Sequence, residues 1–169
     1  MTKRSVTTDC SGSSTSRDAP VATNARESHS TESYACSMGI ELTSVIVDDY
    51  DTAIEFFVNA LGFTLTEDSQ SLDGDGGAKR WVVVHPPDGT GGLLLARARG
   101  AEQQAMVGNQ FAGRVGLFLR VDDFHVAFTR MTDHGVSFLT TPRDEPYGKV
   151  AVFVDLLGNK WELLGPATF

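Results

Sequence analysis

Apolar residues alternate with polar ones from about residue 40 to 47, then recur with a helical period over 51–60, then alternate again after Gly62. The same order returns further along: an alternating run at 114–121, a helical-period run at 124–134, and a new alternating run after Gly135. Alternation is the mark of a strand with one buried face, and a 3.6-residue period that of a helix with one apolar stripe. The chain therefore contains one module written twice. Further strands are expected near 62–67, 80–85 and 92–97 in the first copy, and near 136–140, 149–154 and 160–164 in the second. Asp73-Gly74-Asp75-Gly76-Gly77, Pro86-Pro87-Asp88-Gly89 and Gly158-Asn159 supply the turns. Asp51 and Asp123 are read as helix caps, and Gly100 to Gln110 as a connector with one helical turn. Ala53, Phe56, Phe57 and Ala60 share one helix face, as do Ala127, Phe128 and Met131, so each helix covers one side of its sheet. The expected fold class is α+β, with paired βαβββ modules (40–98 and 113–165) forming a curved mixed-sheet cleft with helices on the outside.

Residues 1–37 change the picture only at the N-terminal end. They are rich in Ser, Thr, Asp and Ala and poor in large apolar residues, so they are expected to be disordered. Met38 stands directly before the first strand. The segment is either a flexible tail or a misassigned extension, and one domain, 38–169, remains. The formal net charge of −8 falls entirely on that domain, and an acidic surface argues against nucleic acid as partner. No apolar run approaches the roughly 20 residues that cross a bilayer, and no secretory apolar core opens the chain, so the expected location is the cytoplasm. Cys10 and Cys36 both lie in the N-terminal segment and are read as free thiols.

The runs Val47-Asp48-Asp49 through Leu61-Gly62-Phe63 and Val121-Asp122-Asp123 through Gly135-Val136, with the ending Phe153-Val154-Asp155-Leu156-Leu157-Gly158-Asn159-Lys160-Trp161-Glu162-Leu163, resemble the vicinal oxygen chelate superfamily. Glyoxalase I, extradiol dioxygenases and bleomycin-resistance proteins are members. The resemblance covers residues 40 to 165 and implies a homodimer. It also implies, in enzymatic members, a divalent metal held by one residue from the first and one from the last strand of each module. Those four places fall on Leu42, the Leu93-Leu94-Leu95 region, Gly116 and Glu162. One carboxylate cannot hold a catalytic metal, which needs about three protein ligands. His29, His85, His125 and His134 are scattered and read as surface histidines, so no metal and no cofactor are expected.

Alternation along 114–121 places Val115, Leu117, Leu119 and Val121 against the helix, and Arg114, Gly116, Phe118 and Arg120 in the cleft. Glu162 is expected on the cleft side too. Arg114 offers a fork of donors to an oxygenated ligand and Phe118 a ring face, or else Arg114 and Glu162 neutralise each other as an ion pair. Asn109, Gln110, Glu145 and Tyr147 lie in rim loops suited to ligand contacts. Arg80 joins them if it faces inward, and Trp81 and Trp161 are read as core. Two functional readings follow. One is a protein that binds a small oxygenated or aromatic molecule without metal catalysis. The other is a lyase, isomerase or dioxygenase with a displaced or absent metal site, using Glu162 as base and best catalytic candidate beside Arg114. Nothing in the sequence supports a third use of the fold for assembly alone.

Overall fold

Two short runs of β-branched and leucine residues start the two halves of the architecture. A computed structural model describes residues 39–72, 74, 76–87 and 90–167. The segment 1–37, with Cys10, Cys36 and His29, lies outside the described residues, as do Asp73, Asp75, Asp88 and Gly89 in the two turns. Strand β1 (Leu42–Val47) leads into helix α1 (Tyr50–Glu55), which continues as a π-helix over Phe56–Ala60. Strands β2 (Thr64–Leu72), β3 (Ala78–His85) and β4 (Gly92–Arg97) complete the first module, and helix α2 (Gly100–Met106) lies in the connector. The second module contains β5 (Val115–Arg120), helix α3 (Phe124–Asp133), β6 (Ser137–Phe138), β7 (Arg143–Glu145), β8 (Gly148–Val154) and β9 (Lys160–Leu164).

Each module forms a mixed sheet. The first has strand order β1-β4-β3-β2, with β1 and β4 parallel, and the second β5-β9-β8-β6, with β5 and β9 parallel and the short β7 paired to β8. This is the α+β fold of repeated modules that the periodicity implied. Among the described residues no helix is long and apolar enough to cross a membrane.

One face of each sheet enters a shared hydrophobic core. Val45, Val47, Val82, Val84 and Leu95 come from the first sheet, Leu119, Ala151, Phe153, Trp161 and Leu163 from the second, and Ala53, Phe57 and Met131 from the helical segments. Phe57 meets Trp161 with ring centroids 6.0 Å apart, and Trp161 stacks on Phe153 at 5.8 Å, so an aromatic chain crosses from one module to the other. Arg130 of α3 adds a polar tie, donating from Nη2 to the carbonyl of Leu61 at 2.6 Å, where the π-helix ends. A cation at a helix C-terminus complements the exposed carbonyls there. Gly62 has φ +75°, a conformation that favours glycine, and a Cβ there would lie 2.3 Å from Arg130 Nη1, so a side chain would also displace the guanidinium.

Several local readings are corrected. The cap of α1 is Asp49, whose Oδ1 accepts from Thr52 N at 2.9 Å, while Asp51 sits in the first turn and pairs with Arg80. Asp123 caps α3 as expected, accepting from Val126 N. Trp161 is core at 2 % exposure, whereas Trp81 is half-buried on the opposite side of its sheet, with Lys79 Nζ 5.8 Å from its ring. Strand β7 was not foreseen because its Arg-Asp-Glu sequence lacks any apolar alternation.

Candidate functional site

Because the core faces of both sheets point into one cluster, their other faces are left open. On the second sheet the register places Phe118 directly opposite Glu162, and Glu162 opposite Val152, so the three share the open face. Phe118 is 60 % exposed and Glu162 only 8 %. A large apolar ring left in solvent beside a buried carboxylate is the unusual feature here, since charges are rarely buried without partners.

The partner of Glu162 is Arg143. Its Nη2 donates to Glu162 Oε1 at 3.3 Å, and its Nε donates to Glu145 Oε1 at 2.9 Å. Hydrogen bonding to Glu145, reinforced by the charge of Glu162, raises the Arg143 guanidinium above its ordinary value. Glu162 Oε2 has no hydrogen-bond partner among the described residues, and is not sealed from solvent. The face therefore presents one anchored carboxylate with a free oxygen, an exposed ring, and Tyr147 nearby in sequence at 51 % exposure.

The expected pairing of Arg114 with Glu162 does not form. Residue counting assumed unbroken alternation, but β5 carries a bulge between Val115 and Leu117, so Arg114 falls outside the strand and is exposed. Val115 consequently stands opposite Lys160 rather than in line with Leu117 and Leu119. Arg80 does not face the open side either. It shares its side of β3 with Val82 and Val84 and is held by Asp51 at 2.8 Å and by Asp68, over the ring of Tyr50 at 5.2 Å. Gln110 spends its amide on the backbone: Oε1 accepts from Ile46 N at 2.9 Å and Nε2 donates to Ser44 O at 2.7 Å, so it ties the connector to the outer edge of β1. Asn109 is exposed in the turn after α2. Of the expected group, the structure thus brings together Phe118, Glu145 and Glu162, and adds Arg143.

The open face of the first sheet carries Leu42, Ser44 and Ile46 of β1, Leu94 of β4, and Trp81, Val83 and His85 of β3. His85 is a half-buried, hydrogen-bonded histidine at the end of β3, and its ring lies over Gly92, where a Cβ would come within 2.6 Å of Nε2. Thr66 Oγ1 donates to Val83 O at 3.2 Å, so toward His85 Nδ1, 2.9 Å away, it accepts. That assignment leaves Nε2 as the acceptor nitrogen, beside Leu42. The signal available beforehand was Gly92 itself, since an interior strand glycine marks a close approach.

A family model for the Glyoxalase/Bleomycin resistance protein/Dioxygenase superfamily matches residues 39–163. The chain belongs to this superfamily. It is 51% identical over 122 residues to an uncharacterized protein of Shewanella frigidimarina, covering 72% of this chain and 88% of that one. Among solved structures it is similar to TnmS3, an antibiotic binding protein from Streptomyces sp. CB03234, at 29% identity and TM-score 0.62, covering 78% of this chain and 98% of that one. A glyoxalase/bleomycin resistance protein from the same Streptomyces is also 29% identical, with TM-score 0.57, over 75% and 99% of the two chains.

Superfamily resemblance implies a divalent metal in enzymatic members, and the residues at the four corresponding places do not fit one. Leu42 and Leu94 offer no donor atom, and Glu162 Oε1 is engaged by Arg143. At Gly116 the obstacle is steric as well: a Cβ would lie 2.0 Å from the ring of Phe111, which fills the space a ligating side chain would need. Among the described residues no three His, Cys, Asp or Glu side chains converge.

Proposed function

We propose that the chain is a binding protein of the bleomycin-resistance kind. It would hold a small oxygenated or aromatic molecule on the open face of the second sheet, without metal catalysis, as a homodimer. The observation that carries this reading is the buried Glu162, anchored on one oxygen by Arg143 and free on the other, beside the exposed ring of Phe118. The ring provides a stacking surface, and the free carboxylate oxygen accepts from an ammonium, phenol or amide of the ligand. Similarity to an antibiotic binding protein supports the binding of a small molecule. The homodimer is supported by half-buried apolar side chains on both open faces, Ile46 and Leu94 on one and Val152 on the other, which a second copy would cover.

The test follows thermal unfolding of the full chain with aromatic ligands bearing amine or phenol groups (tyramine, dopamine and metal-free bleomycin), with chromatography of the ligand afterwards. Binding predicts ligand-dependent stabilisation with the ligand recovered unchanged. Product formation that Glu162→Gln abolishes would instead establish an enzyme. Sedimentation of the chain at a single monomer mass would remove the homodimer.

A further inference from the structure

A second opening lies along β5 on the core side of Leu117 and Leu119, and it reaches the border of the Glu162 face at Phe118 and Arg120. It is a recess of about 210 Å³ between β5 and the start of β4, walled by Thr43, Phe63, Leu93, Leu117 and Trp161, with Phe118 at its border and Arg120 also lining it. An apolar cavity of about 150 Å³ is enough to take a benzene ring, so this one accommodates a single ring with one substituent. Gly91 and Gly92, which also line it, contribute no side chains to fill the space. The walls are apolar and aromatic, with the hydroxyls of Thr43 and Thr90 as the small polar groups, the usual composition of a small-molecule site.

The charge in the recess has one sign. Among the described residues lining it, Arg120 alone is charged, in a chain whose net charge is −8. Arg120 is exposed and donates only from Nη1 to Gly165 O, at 3.3 Å. Asp122 and Asp123 border a neighbouring recess with it, and neither pairs with it. An arginine fork without a carboxylate partner among the described residues, set at an apolar ring-sized hole, matches a planar carboxylate attached to a ring. We infer that this recess is a separate binding site for a small aromatic carboxylate, its ring against Phe63, Leu93 and Trp161 and its carboxylate on Arg120. The inference uses neither Glu162 nor Arg143, and shares with the function proposed above only Phe118 at the border of the recess.

The experiment titrates benzoate into the full chain and follows backbone amide and indole resonances. Saturable shifts are expected at Leu93, Leu117 and the Trp161 indole, with the Trp81 indole unmoved. Benzyl alcohol and benzylamine, which keep the ring and lose the carboxylate, are expected to bind at least about tenfold more weakly, the usual cost of losing a charge-assisted pair. Arg120→Gln should reduce benzoate to the level of benzyl alcohol, and Arg120→Lys should recover part of the loss. Absence of saturation below about 10 mM, shifts confined to other parts of the chain, or equal binding of the three ligands would each overturn the inference. The ligand series on the unmodified chain decides even if the variants fold poorly.

Discussion

Replacing Asp155 by Ala should damage the fold more than any change on the open faces. Asp155 is 4 % exposed and follows β8 at the hairpin to β9. Its Oδ1 accepts from the backbone N–H groups of Leu157, Gly158 and Asn159 at 3.0, 2.8 and 2.9 Å. Its Oδ2 accepts from Asn159 Nδ2 and Trp161 Nε1, both at 3.1 Å. Alanine removes both acceptors. Leu157 and Gly158 are near enough to solvent to turn to water, but Asn159 and Trp161 are buried at 2 % exposure each, so three donors are stranded. A stranded buried donor costs about 1–3 kcal/mol. Relief from no longer burying a charge lowers the sum, which leaves about 4 kcal/mol as the expected loss. Against a typical stability of about 5–15 kcal/mol this is a large fraction, and it corresponds to a fall in Tm of about 12–20 °C for a domain of this size. Asp155→Asn retains one acceptor oxygen for the backbone groups but turns an amide toward two donors, so it should lose about half as much. Urea unfolding followed by near-ultraviolet circular dichroism reads both variants. If Asp155→Ala unfolds within about 1 kcal/mol of the parent, the hairpin does not depend on this carboxylate and the reasoning is refuted.

Two further perturbations test separate parts of the account. Gly116→Ala drives a methyl into the Phe111 ring and should cost about 1–3 kcal/mol by overpacking, measured by urea unfolding. Adding Phe111→Ala should recover part of that loss, and no recovery would mean that the ring does not fill this place. The Asp68 carboxyl is held below the usual carboxylate range by its hydrogen bonds to Arg80. A depressed carboxyl contributes stability that is complete above about pH 4 and fades as pH falls through its lower folded value. Arg80→Gln should therefore flatten the decline in stability as pH falls below about 4, and an unchanged slope would count against that pairing.

The two-module fold was legible because buried strand and helix faces impose their own periods on the sequence, and Phe57, Met131, Leu119 and Leu163 all fall where that rule places them. The site was legible only in part. Phe118 and Glu162 lie on the face expected of them because both are on regular strand, within the unbroken register from Leu117 to Arg120 and along β9. Arg114 was misplaced because one extra residue at Gly116 resets the alternation, and a bulge has no signature beyond the glycine itself. Arg143 was legible only as part of a polar rim loop, because β7 is three charged residues held by pairing to β8, which local pattern cannot reveal. The neighbouring acids Asp49 and Asp51 are equivalent on propensity, and only the hydrogen bond to Thr52 N distinguishes the cap.

The central claim is that ligand recognition rests on the free oxygen of Glu162 and the ring of Phe118. Isothermal titration of tyramine, dopamine and metal-free bleomycin, each in the presence of a chelator, into the parent chain, Glu162→Gln and Phe118→Ala tests it most directly. The account predicts saturable binding of at least one of them, weakened about tenfold or more by either substitution, as expected for a lost charge-assisted hydrogen bond or a lost aromatic contact. Binding that appears only when a divalent metal is restored, or that neither substitution alters, would contradict it.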